Sequence, residues 1–67
     1  MHLIINGKDK HFDCEAFTVS ALVSAMDLVG KRIAIERNGE IVPRSQFENV
    51  ILNDGDQLEI VGAVGGG

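Results

Sequence analysis

Two stretches of alternating apolar and polar residues, each interrupted by an Asn-Gly pair, predict two β-hairpins. The pairs occupy residues 6–7 and 38–39, and both residue types tolerate the positive φ that a type I′ turn requires. The first hairpin is expected to pair residues 2–5 with 8–14. The second is expected to pair 32–37 with 40–42, because Ile33 and Ile35 alternate around Ala34 with charged neighbours.

A helical period separates the two hairpins. The apolar positions follow the spacing i, i+3, i+4 and i+7, at Val19, Leu22, Val23 and Met26. Thr18 is a suitable N-cap, and Gly30 stands where a helix commonly ends with a glycine. We therefore predict a helix over about residues 18–29.

The last third of the chain predicts short elements and one more strand. Pro43 ends the fourth strand or places it at a sheet edge. Residues 45–48 match a capping box, which predicts a turn of helix that is short or 3₁₀. Asp54 and Gly55 form a turn before a final strand over 57–61. One helix packed on a mixed sheet of about five strands is an α+β arrangement, the β-grasp.

The composition is that of a single small globular domain. The chain has 67 residues, of which 45% are hydrophobic and 24% charged. In so short a chain the free energy of burial is of the same order as the entropy lost on folding. Little is left to support an elaborate buried active site. We expect a β-grasp domain over residues 1–62 and a flexible tail over 63–67.

Several functional classes are disfavoured by composition. A single cysteine, Cys14, excludes an internal disulfide and a multi-cysteine metal site. Apolar runs of three residues are too short for a signal sequence or a membrane span, so a cytoplasmic protein without a membrane partner is expected. The net charge of −4, with only six Lys and Arg residues, argues against nucleic-acid binding.

Residues with possible chemistry have simpler structural interpretations. Cys14 is expected to be a small packed hydrophobe rather than a reactive thiol. His2 and His11 lack a third ligand at suitable spacing, so no metal site is predicted. The Asp-Gly-Asp sequence at residues 54–56 is explained by the formation of a turn. The aromatic residues are expected to belong to the core: Phe12, Phe17 and Phe47. No catalytic constellation is present, so we expect a substrate of enzymes rather than an enzyme.

The glycine-rich end is the part of the chain that suggests chemistry. Three glycines close the sequence, which could be an incidental end; a phosphate-binding loop would need a helix after them. Alternatively, residues without Cβ can lie extended in a narrow channel. The terminal carboxylate is ionised in the cell and could attack the α-phosphate of ATP. Nearby apolar residues would then dock on a partner: Val61, Ala63 and Val64.

Three motifs together resemble the ThiS family of thiamin-biosynthesis sulfur carriers. They are Asn-Gly-Glu-Ile-Val-Pro-Arg at 38–44, Asp-Gly-Asp at 54–56 and the glycines at 65–67. The resemblance implies a ubiquitin-like β-grasp whose Gly67 carboxylate is adenylated by a ThiF-type adenylyltransferase. Gly66 completes the diglycine end, and the extra Gly65 would thread with it into the partner's active site.

The same resemblance implies the rest of the pathway. ATP and Mg²⁺ would be used by the adenylyltransferase, with no cofactor held tightly by this chain. A cysteine desulfurase would supply sulfur for a C-terminal thiocarboxylate, and thiazole synthase would consume it. Three alternatives stay open: the small subunit of molybdopterin synthase, a ubiquitin-like modifier, and a plain binding module. The final sulfur acceptor also stays open among thiazole, molybdopterin and tRNA.

Overall fold

Seven strands, one α-helix and one 3₁₀ helix form within residues 1–14 and 16–62, which the computed structural model describes. The α-helix is α1, Val19–Ala25, and the 3₁₀ helix is Arg44–Gln46. The strands are β1 His2–Ile5, β2 Lys8–His11, β3 Phe17–Thr18, β4 Ile33–Arg37, β5 Glu40–Val42, β6 Ile51–Leu52 and β7 Gln57–Gly62.

Five of these strands form one mixed sheet in the order β2-β1-β7-β4-β5. The central pair β1–β7 is parallel, and the other three pairs are antiparallel. The predicted α+β class, a mixed sheet of five strands with one main helix, is therefore confirmed. Strand β7 is the last of the described strands in sequence, yet it lies in the middle of the sheet.

Both predicted hairpins form around the Asn-Gly pairs. Asn6 and Asn38 have φ of 52° and 49°, and the glycines that follow them have 80° and 88°. A type I′ turn requires such positive φ angles at both of its central residues. The first hairpin is shorter than predicted, because its ladder ends at the His2–His11 pair. Beyond that pair, the Phe12 N–H donates to the Met1 carbonyl at 2.8 Å, and the Met1 amino group donates to the Phe12 carbonyl at 2.6 Å. The chain turns away there instead of continuing as a strand to residue 14.

The helix begins as predicted but ends four residues early. The Thr18 side chain caps it by accepting a 3.0 Å hydrogen bond from the Ala21 N–H. Asp27 then adopts φ of 58°, and its N–H donates to the Ser24 carbonyl at 3.1 Å. The Leu28 N–H donates to the Val23 carbonyl at 2.9 Å. These two bonds form a Schellman motif with an aspartate in the usual glycine position.

The glycine expected to end the helix has a different role. Gly30 has φ of 81° and lies in a separate turn, closed by a 3.1 Å bond from the Lys31 N–H to the Leu28 carbonyl. The prediction of a helix to residue 29 was wrong because it assigned the left-handed position to glycine. Asp27 occupies that position, and aspartate tolerates it better than most residues do.

The segment after Pro43 contains two further differences from the prediction. The 3₁₀ helix starts at Arg44, and no side chain caps it, so the predicted capping box at 45–48 is not formed. A second, two-stranded sheet pairs β3 with β6 and places Phe17 opposite Leu52. Its strands have two residues each, which is too short to produce a recognisable alternation in the sequence.

The hydrophobic core lies between α1 and the five-stranded sheet. Phe17 is buried, whereas Phe12 and Phe47 are partly buried and pack against the core. Cys14 also packs there, in agreement with its predicted role. The buried apolar residues of this cluster are Leu3, Ile5, Phe17, Val19, Leu22, Val23, Ile35, Val42, Leu52 and Leu58. Among the described residues, no helix has the length and apolar character needed to cross a membrane.

Replacing Asp27 with glycine is expected to stabilise the protein. Glycine adopts positive φ without the steric cost that a Cβ introduces, and the gain in unfolding free energy should be about 0.5 kcal/mol. Urea denaturation monitored by circular dichroism measures it. Asp13→Gly is the matched control, because Asp13 is exposed and its φ is not positive. A loss of stability of equal size in both variants would contradict the assignment of Asp27 to the helix end.

Candidate functional site

Strand β7 connects the sheet to the tail that the sequence singled out. It runs between β1 and β4 and ends at Gly62. The candidate tail residues follow that strand, and they lie outside the residues that the structure describes: Ala63, Val64, Gly65, Gly66 and Gly67. The site can therefore be built from the described residues that hold and surround the end of β7.

On one side, an asparagine side chain holds β7 beyond the end of β1. The Asn6 N–H donates to the Leu58 carbonyl at 2.9 Å. Its side-chain amide then forms two bonds with the backbone of Ile60, donating to the carbonyl at 3.1 Å and accepting from the N–H at 2.8 Å. The side chain therefore replaces the next residue of a parallel strand. Asn6 both forms the first hairpin turn and fixes the path toward the tail.

On the other side, β4 pairs with β7 up to its last residue. Ala34 lies opposite Val61, and Ile33 lies opposite Gly62. The antiparallel ladder thus extends farther toward the tail than the parallel ladder does. The direction in which the chain leaves the sheet is set by backbone hydrogen bonds on the β4 side and by Asn6 on the other.

The start of β7 is fixed by a buried carboxylate. One oxygen of Asp56 accepts from the backbone N–H of Asn53 and from the Nε of Arg37, both at 2.8 Å. The other oxygen accepts from the side chain of Asn38 at 3.1 Å, and Asn38 also exchanges two hydrogen bonds with the backbone of Gln57. The carboxylate therefore joins the β4–β5 turn to the turn that precedes β7.

These contacts decide the ionisation of Asp56. Burial by itself raises the pKa of this carboxyl, but it is outweighed by the hydrogen bonds from Asn53, Asn38 and Arg37 and by the charge of Arg37. The net effect holds the pKa of Asp56 below its usual value of 3.8. The ionised form is thus the one that the folded state prefers.

A partly apolar surface lies beside the end of β7, on the side of the sheet that faces away from α1. Val61 is 57% exposed, as predicted for a docking residue, and its ladder partner Ala34 is also exposed. Ile41, on the outer strand β5, is 63% exposed. Val61 and Ile41 therefore lie on the same side of the sheet, with β4 between their strands.

The other chemistry-bearing residues do not combine into a site. His2 and His11 are ladder partners whose rings stack at 4.8 Å between centroids. The Nε2 of His2 lies 2.7 Å from the Oδ1 of Asp9, a carboxylate that the sequence interpretation did not connect with the histidines. Within residues 1–14 and 16–62, no three His, Cys, Asp or Glu side chains are placed to hold a metal ion. Cys14 packs against the core instead.

Two polar residues fix β7 through their side chains, and this role was not predicted from the sequence. Asn6 was assigned only to a turn, and Asp56 was assigned only to the acidic turn at 54–56. That turn does form, closed by a 3.0 Å bond from the Asp56 N–H to the Asn53 carbonyl. No local pattern indicates that either side chain reaches across the sheet. Asp56 occupies a strand-end position with period-two spacing to Leu58 and Ile60, which was the available sign that its side chain points inward.

We expect Asp56→Asn to lower the unfolding free energy by about 2 kcal/mol at neutral pH, because it breaks a buried, hydrogen-bonded ion pair. Because the folded-state pKa of Asp56 is lowered, its ionised form stabilises the protein at pH values above the pKa that Asp56 has in the unfolded chain. That contribution is lost as the pH falls through the folded-state pKa. Urea denaturation of both proteins between neutral pH and pH of about 3 measures the difference.

The control for this comparison is Asp13→Asn, which removes an exposed carboxylate. It should leave stability within about 0.5 kcal/mol of the wild type at every pH. A difference between wild type and Asp56→Asn that is unchanged in acid would show that the Asp56 charge is not what the network requires.

Comparison with known proteins places this geometry in a family. The sequence model of the ThiS family matches residues 3–67. The sulfur carrier protein ThiS of Bacillus subtilis is 38% identical over 65 residues, covering 97% of this chain and 98% of that protein. A thiazole synthase of Paramagnetospirillum magneticum is 46% identical over all 67 residues, but the chain spans only 20% of its length.

A solved structure agrees with the sequence comparisons. The crystal structure of the thiamine biosynthesis protein ThiS from Geobacter metallireducens matches over 100% of both chains, with a TM-score of 0.87 and 35% identity. Sequence and fold thus agree over the full length of a stand-alone relative. The chain belongs to the ThiS family, the family of the sulfur carrier protein ThiS.

Proposed function

We propose that this protein is a sulfur carrier of thiamine biosynthesis, and that it carries sulfur as the thiocarboxylate of Gly67. The observation that supports this most strongly is the family match over residues 3–67, which includes the glycine end. The described sheet adds a physical reason. A central strand, held on both sides, leads directly into the tail and supports it without contributing reactive groups.

The chemistry takes place on the tail carboxylate. Its oxygen attacks the α-phosphate of ATP, and the acyl-adenylate forms as pyrophosphate leaves. A persulfide sulfur then attacks the carbonyl carbon and displaces AMP. The product of this step is an acyl disulfide. Another thiol then reduces its S–S bond, which releases the thiocarboxylate with the transferred sulfur. A carboxylate is a poor acyl donor, so the adenylate supplies the leaving group that the sulfur step requires.

The partners follow from these steps. A ThiF-type adenylyltransferase provides the ATP and Mg²⁺ site, and a cysteine desulfurase provides the persulfide. In this proposal Gly65 and Gly66 thread into the partner's active site, because residues without Cβ fit a narrow channel. These enzymes act in the cytoplasm, where ATP and reduced thiols are available, and we place the carrier there. It acts as a co-substrate, with no catalytic residue of its own.

Thiazole synthase is the proposed consumer of the sulfur. The match of the whole chain to one fifth of a Paramagnetospirillum magneticum thiazole synthase supports a close functional relation between carrier and synthase. Docking would use the exposed Val61 together with Ala63 and Val64. This assignment favours thiazole as the acceptor over molybdopterin or tRNA.

Thiocarboxylation is expected when the protein is incubated with ATP, Mg²⁺, its own organism's adenylyltransferase, a cysteine desulfurase and cysteine. Intact-mass spectrometry should show a gain equal to the replacement of one oxygen by sulfur, located in the C-terminal peptide. Omitting ATP is the control, because no adenylate can then form. An unchanged mass, with enzymes that modify another carrier, would contradict the proposal. Lysine conjugates that survive reduction would instead indicate a ubiquitin-like modifier.

Deletion of Gly66 and Gly67 is expected to abolish thiocarboxylation and leave the fold intact. The last residue of the described β4–β7 ladder is Gly62, so the deletion leaves every residue of the described strand pairs in place. Mass spectrometry and thermal denaturation measure the two effects. Asp13→Asn is the control, since it changes an exposed residue outside the strands and leaves the tail unaltered. Normal modification of the truncated protein would exclude every mechanism that uses the Gly67 carboxylate.

A further inference from the structure

One side of the five-stranded sheet carries acidic groups without compensating Lys or Arg. We call this side, which faces away from α1, the open face. Its members follow from the ladder registers, because directly paired residues point to the same side. The paired positions on the open face are His2, Ile4, Asp9, His11, Ala34, Glu36, Ile41, Gln57, Glu59 and Val61. The ladder therefore places carboxylates, and no Lys or Arg, on this face.

The basic residues occupy other places. Lys8 and Lys10 lie opposite Ile5 and Leu3, on the helix side of the sheet. Arg37 is bound to Asp56. The remaining three, Lys31, Arg32 and Arg44, lie outside the paired strands. Within the paired strands, the open face thus carries the carboxylates of Asp9, Glu36 and Glu59 and no Lys or Arg.

Two carboxylates on this face lie directly opposite each other. Glu36 of β4 pairs in register with Glu59 of β7. Like charges in that position destabilise a sheet. Among the described residues the ion pairs are His2–Asp9 and Arg37–Asp56, so neither glutamate is compensated within that part of the chain. The register therefore places two like charges opposite each other next to the central strand pair.

Apolar side chains border these two glutamates. Ile41 of β5 is the partner of Glu36 in the β4–β5 ladder, on the same face as Glu59. In the β4–β7 ladder, the next pair toward the tail on this face is Ala34 with Val61. The surface formed by Ala34, Glu36, Ile41, Glu59 and Val61 reaches the end of β7, one residue before Gly62. We call it the acidic docking face.

We propose that the acidic docking face binds the protein that receives the tail, and that this partner presents Arg or Lys side chains to Glu36 and Glu59 beside an apolar contact. This inference rests on the proposed carrier function. The charge favours a basic protein surface, and it disfavours nucleic acid and anionic membranes. A second copy of the chain would bring the same negative side chains together. Partner binding removes the repulsion that the free carrier maintains.

The test is a comparison of the wild type with Glu36→Gln/Glu59→Gln, using the adenylyltransferase of the same organism as the probe. Calorimetry at low and at physiological salt measures the dissociation constant. We expect binding about fivefold weaker for the variant and a smaller dependence on salt, as for exposed charge pairs at an interface. In a thiocarboxylation assay, KM for the carrier should rise while kcat stays the same, because the tail itself is unaltered.

The matched control is Glu40→Gln/Glu48→Gln, which removes the same two negative charges elsewhere. Glu40 lies opposite Arg37 on the helix side, and Glu48 is outside the sheet. Both are exposed, so this variant reports the effect of removing two negative charges away from the acidic docking face. Thermal denaturation gives a second, partner-independent measurement. Glu36→Gln/Glu59→Gln should raise Tm because it removes the opposed charges.

The outcomes separate this inference from the proposed function. If the wild type is thiocarboxylated and both double variants bind the adenylyltransferase equally well, the docking inference is overturned and the carrier function stands. If the wild type neither binds the adenylyltransferase nor becomes thiocarboxylated, the proposed carrier function itself is contradicted. Self-association of the wild type that Glu36→Gln/Glu59→Gln alters in sedimentation would mean that a second copy covers the face, which also overturns the inference.

Discussion

The position of β7 is the constraint on which the rest of the structure depends. It is the last of the described strands in sequence and the central strand of the sheet, so the five-stranded sheet exists only after residues far apart in sequence have met. Such non-local pairing requires loop closure before its contacts can form. The polar contacts at the start and middle of β7, from Asp56 and Asn6, fix the register of that late pairing.

The elements with local signals could be predicted from the sequence, whereas the pairing of strands that are distant in the sequence could not. Asn-Gly turns, the N-cap at Thr18 and the period of α1 are each determined by a few neighbouring residues. The end of α1 was misjudged because two residues, Asp27 and Gly30, both adopt positive φ and only one of them ends the helix. Strands of two residues, such as β3, gain their structure from the partner they meet, so their own sequence contains little of the signal.

The functional site divides in the same way. The glycine end, which composition singles out as a candidate, lies outside the described residues. The exposure of Val61 could be predicted from its place at the end of a strand. Asn6 and Asp56 could not, since each acts through backbone groups about fifty residues away or across a turn. The opposition of Glu36 and Glu59 is also invisible in the sequence. It follows only from the β4–β7 register, where a shift of one residue would turn each side chain to the other face.

In our proposal the protein meets several enzymes, which sets two requirements that compete. Its reactive end needs freedom to enter an active site, whereas its recognition surface needs fixed geometry. The fold meets the second requirement through β7, which is paired along its length and ends at Gly62, where the glycine-rich end of the sequence follows. Every residue of the acidic docking face lies on β7, on its neighbour β4 or on β5. The forces that hold β7 in register therefore also arrange the side chains that a partner would recognise. In our proposal, the uncompensated glutamates are a stability cost of the free carrier that binding removes, which favours complexes with basic partners over the free state.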